Sequence, residues 1–225
     1  SSQPTLDELL RVAADAHVGG LLTGKAGVLH LHLGDGTRGL SLVRDALAAS
    51  ELPARVFHPT HVNRRKALFD EALALAKQGC TIDITAFPVD DGDDAWAADE
   101  ALLRYLDSDA PADRVTVSSD GGGCLPQFDH DGRVIHMDIG SPAALAATLR
   151  KLLLHGHDLA RVLPAFTRNP AQLLRLRGKG EVAVGGDADF VVLDEEHRVS
   201  DVMIAGRWHV RDATAVIRGT FEETN

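Results

Sequence analysis

The sequence predicts an α/β fold, namely the second half of a (β/α)8 TIM barrel followed by the carboxyl-terminal part of a small β-sandwich domain. Short apolar runs flanked by glycine or proline alternate with segments of helical periodicity over residues 1–177. Polar residues suited to a catalytic site stand at the ends of several of these runs. Beyond residue 178 the pattern changes to short β runs separated by turns.

The chain begins with helical spacing at residues 5–17, continues through a glycine-rich stretch at 19–27 and reaches an apolar run at 28–33 that is too short for a helix. The same alternation predicts three further strands at 55–60, 80–87 and 114–119, and helices at 37–50, 65–78, 95–107 and 142–155. Strands that alternate with helices at this spacing form a parallel sheet with right-handed crossovers.

Four predicted strands correspond to half of an eight-stranded barrel, and the chain opens on a helix with no strand before it. We therefore expect Ser1 to be an interior residue of a longer protein whose missing amino-terminal half supplies the other four strands. The glycine- and aspartate-rich segment 120–141 is expected to be a long loop over the active site.

A helical segment at 158–176, interrupted by Pro164 and Pro170, leads to a domain boundary near residue 177. Residues 1–177 are then the barrel half and residues 178–225 the strands of the small β domain. Short strands are expected there at 181–184, 190–193, 199–204, 208–210 and 215–217.

Composition restricts the kind of partner. The chain has 225 residues, 44% of them hydrophobic, and a formal net charge of −10. An acidic chain of this kind argues against a nucleic-acid or membrane surface, so we expect a small-molecule substrate. The two cysteines, Cys80 and Cys124, form no paired motif, which favours a reducing compartment and predicts a cytoplasmic protein.

Three residues at predicted strand ends suit a metal centre. His32 closes the run 28–33, His61 follows the strand at 55–60, and Asp120 follows the strand at 114–119 before three glycines. The carboxyl ends of parallel barrel strands meet at one face, and imidazole and carboxylate groups are good ligands for Zn²⁺. His32, His61 and Asp120 are the predicted metal ligands, and Asp120 is also the predicted catalytic acid and base.

Two further residues are predicted to contact substrate. Arg64 lies three positions after His61, where its guanidinium can bind a carboxylate with two hydrogen bonds. Cys124 lies four positions after Asp120 without a cationic neighbour in sequence, so we expect it to line the pocket rather than act as a nucleophile.

Several motifs resemble a known family. Residues 178–182 (GKGEV) and 185–194 (GGDADFVVLD) are similar to the carboxyl-terminal signature of the amidohydrolase superfamily. Residues 59–64 (PTHVNR), 81–85 (TIDIT), 117–121 (VSSDG) and 218–222 (RGTFE) resemble more narrowly the isoaspartyl (β-aspartyl) dipeptidase family within it. The likeness covers nearly the whole chain. Cys124 departs from the pattern, which has a small hydroxyl residue near the substrate carboxylate.

The resemblance implies a binuclear zinc hydrolase that cleaves β-aspartyl dipeptides with a metal-bridged hydroxide. It implies that His32 and His61 hold one zinc ion, that Asp120 binds the other, and that Arg64 binds the substrate α-carboxylate. A His-x-His pair on the first strand, a carboxylated lysine that bridges the two zinc ions, and a second substrate arginine would lie upstream of Ser1. We also expect a homo-oligomer.

Two other functions are compatible with these residues. A related amidohydrolase that acts on cyclic amides or N-acyl amino acids would share the metal ligands, although a cyclic uncharged substrate needs no Arg64. A non-catalytic scaffold homologue is the alternative from a different class. It is disfavoured because a scaffold has no physical need for three ligands at one barrel mouth.

Overall fold

The structure is a computed structural model that describes residues 3–129 and 131–219. Within these residues it contains seven α-helices: α1 (Leu6–Thr23), α2 (Ser41–Ala49), α3 (Lys66–Lys77), α4 (Ala98–Leu106), α5 (Ala144–Leu154), α6 (Leu159–Val162) and α7 (Arg168–Leu173). The strands are β1 (Leu29–His32), β2 (Phe57–Thr60), β3 (Ile82–Thr85), β4 (Val115–Ser118), β5 (Cys124–Phe128), β6 (Val134–Ile139), β7 (Phe190–Leu193), β8 (Val199–Ile204), β9 (Arg207–Arg211) and β10 (Thr214–Ala215). No helix of the described part is long and apolar enough to cross a membrane.

Strands β1 to β4 form two parallel pairs, which follow one another in chain order. β1 pairs with β2, in a register that sets His32 beside Thr60, and β3 pairs with β4, in a register that sets Asp83 beside Thr116. β2 and β3 are joined through side chains, since His58 Nδ1 lies 2.9 Å from the carbonyl oxygen of Thr81. These four strands carry the predicted site residues.

The four parallel strands separate apolar from polar side chains. Because side chains alternate along a strand, every second residue lies on the same face. One face carries apolar residues that join the core: Phe57, Ile82, Ile84, Val115 and Val117. The other, which we term the polar face, carries His30, His32, His58, Thr60, Asp83, Thr85, Thr116 and Ser118.

Helices α3 and α4 cover the apolar face. Leu68, Phe69 and Leu75 of α3 and Leu102 and Tyr105 of α4 are buried in the same core cluster as the strand residues. Leu68 and Leu75 are seven residues apart with the buried Ala72 between them, and Leu102 and Tyr105 are three apart, so these positions lie on one side of each helix. Burial of a side chain of this size stabilises the fold by about 1.5–3 kcal/mol, so this cluster holds the strands in place.

Helix α1 extends beyond the predicted end at residue 17. It begins with a capping box between Thr5 and Glu8 and continues through Gly19 and Gly20 to the left-handed Gly24. A Cβ atom on Gly20 would lie 2.5 Å from the Cα of Gly27. Gly20 therefore lies inside the helix, where its missing side chain lets the helix pack closely against the segment at Gly27.

Two other expectations are wrong. The predicted long loop 120–141 contains the antiparallel hairpin β5–β6, whose second strand is exposed throughout. Residues 181–184 form an exposed turn region instead of a strand. The carboxyl-terminal strands β7 to β10 form one antiparallel sheet in the order β10-β9-β8-β7. Residues 220–222 of the RGTFE motif lie outside the described residues.

Candidate metal centre and its surroundings

The structure brings His32, His61 and Asp120 together although they are far apart in sequence. One potential ligand atom from each lies within 4.8 Å of the other two. His32 Nδ1 and His61 Nε2 are 2.9 Å apart. Two nitrogen atoms this close, together with a carboxylate, have the chemistry of a zinc-binding set. His32, His61 and Asp120 therefore form a candidate metal centre.

Each of the three residues is delivered by the end of a strand. His32 is the last residue of β1, His61 directly follows β2, and Asp120 follows β4 by two residues. His61 and Asp120 both adopt positive backbone φ angles, 64° and 47°. Non-glycine residues in this conformation cost about 1–3 kcal/mol, and such strain concentrates at functional sites. The turn geometry thus points both side chains toward one place at an energetic cost.

The loop after Asp120 is compact. The amide of Gly123 donates to the Asp120 carbonyl oxygen at 2.8 Å. A Cβ atom at position 123 would lie 2.6 Å from Oδ2 of the Asp120 carboxylate. Glycine at this position lets the backbone pass beside the carboxylate without displacing it.

Burial lowers the pKa of the His61 imidazole below its usual value. The Asp120 carboxylate opposes this change, whereas His32 and Arg64 add to the lowering. A lowered pKa keeps the imidazole neutral near pH 7, and the neutral form is the one that binds a metal ion.

Arg64 is held by the segment after β1. Its Nη1 donates to the carbonyl oxygen of Leu33 at 2.6 Å, and its Nη2 donates to Asp35 at 3.3 Å. Its Nε lies 2.8 Å from the other oxygen of Asp35, although the N–H is not aligned for a hydrogen bond. The guanidinium is therefore positioned near His61 and paired with an exposed carboxylate.

Cys124, the other predicted substrate contact, is exposed and begins strand β5. Cys80 is buried, and burial raises the pKa of its thiol to about 11. The structure therefore gives Cys80 a place in the core and leaves Cys124 accessible beside the loop that carries Asp120.

Several residues of the polar face that were not predicted from the sequence lie around the candidate metal centre. His61 Nδ1 lies 2.9 Å from the hydroxyl of Thr85, and Asp83 accepts hydrogen bonds from Thr60, Thr116 and Ser118. The available signal was the repeated polar residue at every second position of strands that are otherwise apolar. Polar groups in a buried strand need partners, so this pattern predicts a network.

Comparison with known proteins identifies the class. A family profile described as "Amidohydrolase family" matches residues 28–209 of this chain. This match covers most of the chain, including β1 to β4 and the candidate metal centre. The chain belongs to the amidohydrolase family.

Solved structures show which proteins of known structure this chain is similar to. A β-aspartyl dipeptidase from Fervidobacterium islandicum AW-1, in complex with the β-Asp-Leu dipeptide, is 39% identical with a TM-score of 0.88, and the match covers 99% of this chain and 58% of that one. A second structure of β-aspartyl dipeptidase from the same organism is 37% identical with a TM-score of 0.84, covering 99% and 56%. An amidohydrolase from Thermotoga maritima, 18% identical with a TM-score of 0.53 and covering 94% and 48%, shares the fold. The chain thus spans less than two thirds of the length of the dipeptidases it matches.

Proposed function

We propose that this chain is part of a zinc-dependent hydrolase of β-aspartyl dipeptides. The observation that carries the proposal is the convergence of His32, His61 and Asp120 at the ends of separate parallel strands. The similarity to β-aspartyl dipeptidase over 99% of the chain supports the substrate class. The site chemistry and the family membership favour the same reaction type.

His32 and His61 would hold a metal ion through ring nitrogens, and Asp120 would contribute a carboxylate oxygen to the same centre. Bound zinc polarises a carbonyl group and lowers the pKa of water. Asp120 takes a proton from the water that adds to the carbonyl carbon of the β-peptide bond. It then returns that proton to the leaving amine as the carbon–nitrogen bond breaks, which yields aspartate and the second amino acid.

Arg64 would bind the substrate α-carboxylate. Its present partner, Asp35, has a side chain that is 69% exposed. An exposed ion pair contributes only about 0–1 kcal/mol, so a substrate carboxylate can replace Asp35 at low cost. A cyclic amide without a carboxylate would gain nothing from Arg64, and this arginine therefore favours dipeptides over cyclic substrates. Cys124 would line the same pocket.

The proposal includes a preceding half of the same protein. Within the described residues, β1 pairs with β2 and β4 pairs with β3, and each has its other edge open. Three ligands are also too few for two zinc ions. We propose that residues 1–177 are the second half of a (β/α)8 barrel and that residues 178–225 complete a small β-sandwich. The missing half would supply a His-x-His pair and a carboxylated lysine.

The test uses the full-length enzyme with β-Asp-Leu and, as a matched control substrate, α-Asp-Leu. We expect zinc-dependent release of leucine from the β-linked peptide only. In Asp120→Asn the turnover number should fall by at least about 10²-fold while most zinc is retained, because an amide oxygen can still contact the metal but cannot accept a proton. Near-normal turnover would assign the proton transfer to another residue, and cleavage of neither peptide would refute the substrate class.

A further inference from the structure

A buried carboxylate lies below the candidate metal centre and takes no part in the proposed reaction. Asp83 on β3 is only 2% exposed. Its Oδ2 accepts hydrogen bonds from Thr60 at 2.5 Å and from Ser118 at 2.6 Å, and its Oδ1 accepts one from Thr116 at 2.6 Å. A buried charged group needs such partners, and here the neighbouring strands β2 and β4 provide them.

Because each hydroxyl carries one proton, the direction of the hydrogen bonds between His61 and Asp83 is restricted. A threonine hydroxyl carries one proton, and the proton of Thr60 is donated to Asp83. Thr60 has no second proton, so only Thr85 can donate across the 3.4 Å contact between the hydroxyls of Thr60 and Thr85. The proton of Thr85 is then no longer available to His61, whose Nδ1 lies 2.9 Å from the Thr85 hydroxyl.

With the Thr85 proton directed to Thr60, Nδ1 of His61 is the donor in its contact with the Thr85 hydroxyl. A neutral imidazole carries one proton, so protonation at Nδ1 leaves a lone pair on Nε2. Nε2 is the nitrogen that lies 2.9 Å from His32 Nδ1 at the candidate metal centre. This order of donors leaves the lone pair of His61 Nε2 available to bind a metal ion.

We propose that Asp83 is a positioning residue that sets the tautomer of His61 through the hydroxyl relay formed by Thr60 and Thr85. The proposal rests on the proposed function only in taking His61 as a metal ligand. Partners that fix the tautomer and orientation of a ligating histidine commonly change metal affinity by 10- to 100-fold.

The backbone of Thr85 is fixed independently of the relay. Its amide donates to the side-chain oxygen of Asn63 at 2.9 Å, and its carbonyl oxygen accepts from the Asn63 amide at 3.0 Å. Asn63 is fully buried and also donates to the carbonyl oxygen of Trp96 at 2.8 Å. Loss of the Thr85 hydroxyl should therefore change which nitrogen of His61 carries the proton, while the end of strand β3 stays in place.

The first measurement is the tautomer of His61 in the metal-free full-length protein. Long-range proton–nitrogen NMR spectra at pH 8, with His61 assigned from a His61→Gln variant, distinguish the two neutral forms. We expect the form protonated at Nδ1 in the wild type. In Thr60→Val the hydroxyl of Thr85 loses its acceptor and becomes free to donate to His61, so the form protonated at Nε2 should become the major one.

Thr116→Val is the matched control. Thr116 is as buried as Thr60 and donates to the same carboxylate, but it lies on β4 and outside the relay. This variant should keep the wild-type tautomer. A wild-type His61 protonated at Nε2, or the same tautomer in Thr60→Val and Thr116→Val, would overturn the proposal.

The second measurement is the zinc dissociation constant, determined by competition with a chromophoric chelator. Thr60→Val and Thr85→Val should bind zinc 10- to 100-fold more weakly than the wild type, and Thr116→Val should stay within about threefold. Equal weakening in all three variants would show a general structural effect and would contradict the relay. Because the NMR measurement needs neither metal nor substrate, its result stands even if the protein cleaves no dipeptide.

Discussion

At the scale of single residues, Arg64 is the residue that tests the proposed substrate class. Its guanidinium is oriented by the carbonyl oxygen of Leu33 and by the exposed Asp35. A rigid donor group next to the candidate metal centre suits the carboxylate of the proposed substrate. The neighbouring Arg65 contacts the same segment, with its Nη1 3.5 Å from the carbonyl oxygen of Gly36, and offers a natural comparison.

Arg64→Met should raise KM for a β-aspartyl dipeptide by about 10²-fold, because a charge-assisted pair of hydrogen bonds contributes a few kcal/mol. The effect should be small for an analogue in which the α-carboxylate is amidated. Arg65→Met, which removes an equal charge one residue away, should change KM by less than about threefold. Steady-state kinetics with both substrates provides the measurement, and equal losses on the two substrates would mean that Arg64 has a structural role.

At the scale of elements, strand β2 shows how a buried polar face affects stability. His58 is 6% exposed, and its Nδ1 lies 2.9 Å from the carbonyl oxygen of Thr81. Burial lowers the pKa of His58, while Asp83 and the contact with Thr81 oppose the change. The buried imidazole is therefore harder to protonate in the folded protein than in the unfolded chain.

This difference predicts acid destabilisation. Below about pH 6.5 the unfolded chain binds a proton at His58 that the folded chain does not, so the free energy of unfolding falls as the pH decreases toward the folded pKa. One such histidine contributes a slope of at most about 1.4 kcal/mol per pH unit. Urea denaturation of the metal-free full-length protein between pH 8 and pH 5 measures the slope.

His58→Gln should reduce that slope, and the control variant is His155→Gln, which replaces an exposed histidine at the end of α5. The comparison uses the slope rather than the stability itself, since replacement of a buried histidine also affects packing. The prediction would fail if the two variants showed the same dependence on pH.

At the scale of the whole molecule, the polar face of the four strands is incomplete by itself. His30 and His32 on β1 are exposed, although the same face is buried at His58 and Asp83. Open strand edges and a partly uncovered interior favour aggregation. The proposed preceding half of the barrel would cover this side.

Residues 1–225 expressed alone should therefore aggregate, bind less than two zinc ions per chain and fail to cleave β-Asp-Leu. Addition of the preceding segment in the same polypeptide should restore solubility, zinc binding and peptide hydrolysis together. Light scattering, zinc analysis and peptide hydrolysis on both chains make the comparison. A soluble, active chain of residues 1–225 with two zinc ions would contradict the half-barrel proposal.

Much of the architecture follows from local patterns. Strands β1 to β4 lie within the apolar runs predicted at 28–33, 55–60, 80–87 and 114–119. Periodicity identifies such elements because burial of a regular face is their main source of stability. Proximity of His32, His61 and Asp120 was also expected, since parallel strands place their carboxyl ends at one edge. The roles assigned to these residues stay predictions.

Local sequence patterns gave wrong predictions where glycine and polar residues take part in contacts between distant segments. Glycine in α1 permits close packing against Gly27, which a single sequence does not distinguish from a loop signal. The segment 120–141 is rich in turn residues but pairs with itself as β5 and β6. Residues 181–184 alternate like a strand and yet are exposed outside any sheet. Propensity decides such short segments only when no longer-range contact competes.

The sequence by itself determined the alternation of strands and helices and the chemical types available at the strand ends, because both depend on residues close together in the chain. Tertiary structure alone decided which hydroxyls surround Asp83, which hydroxyl lies beside His61, and which carboxylate faces Arg64. These contacts join residues on different strands or loops, separated by 23 to 35 positions. A hydrogen bond forms only within a few tenths of an ångström and a narrow range of angles, which strand register and turn geometry set together.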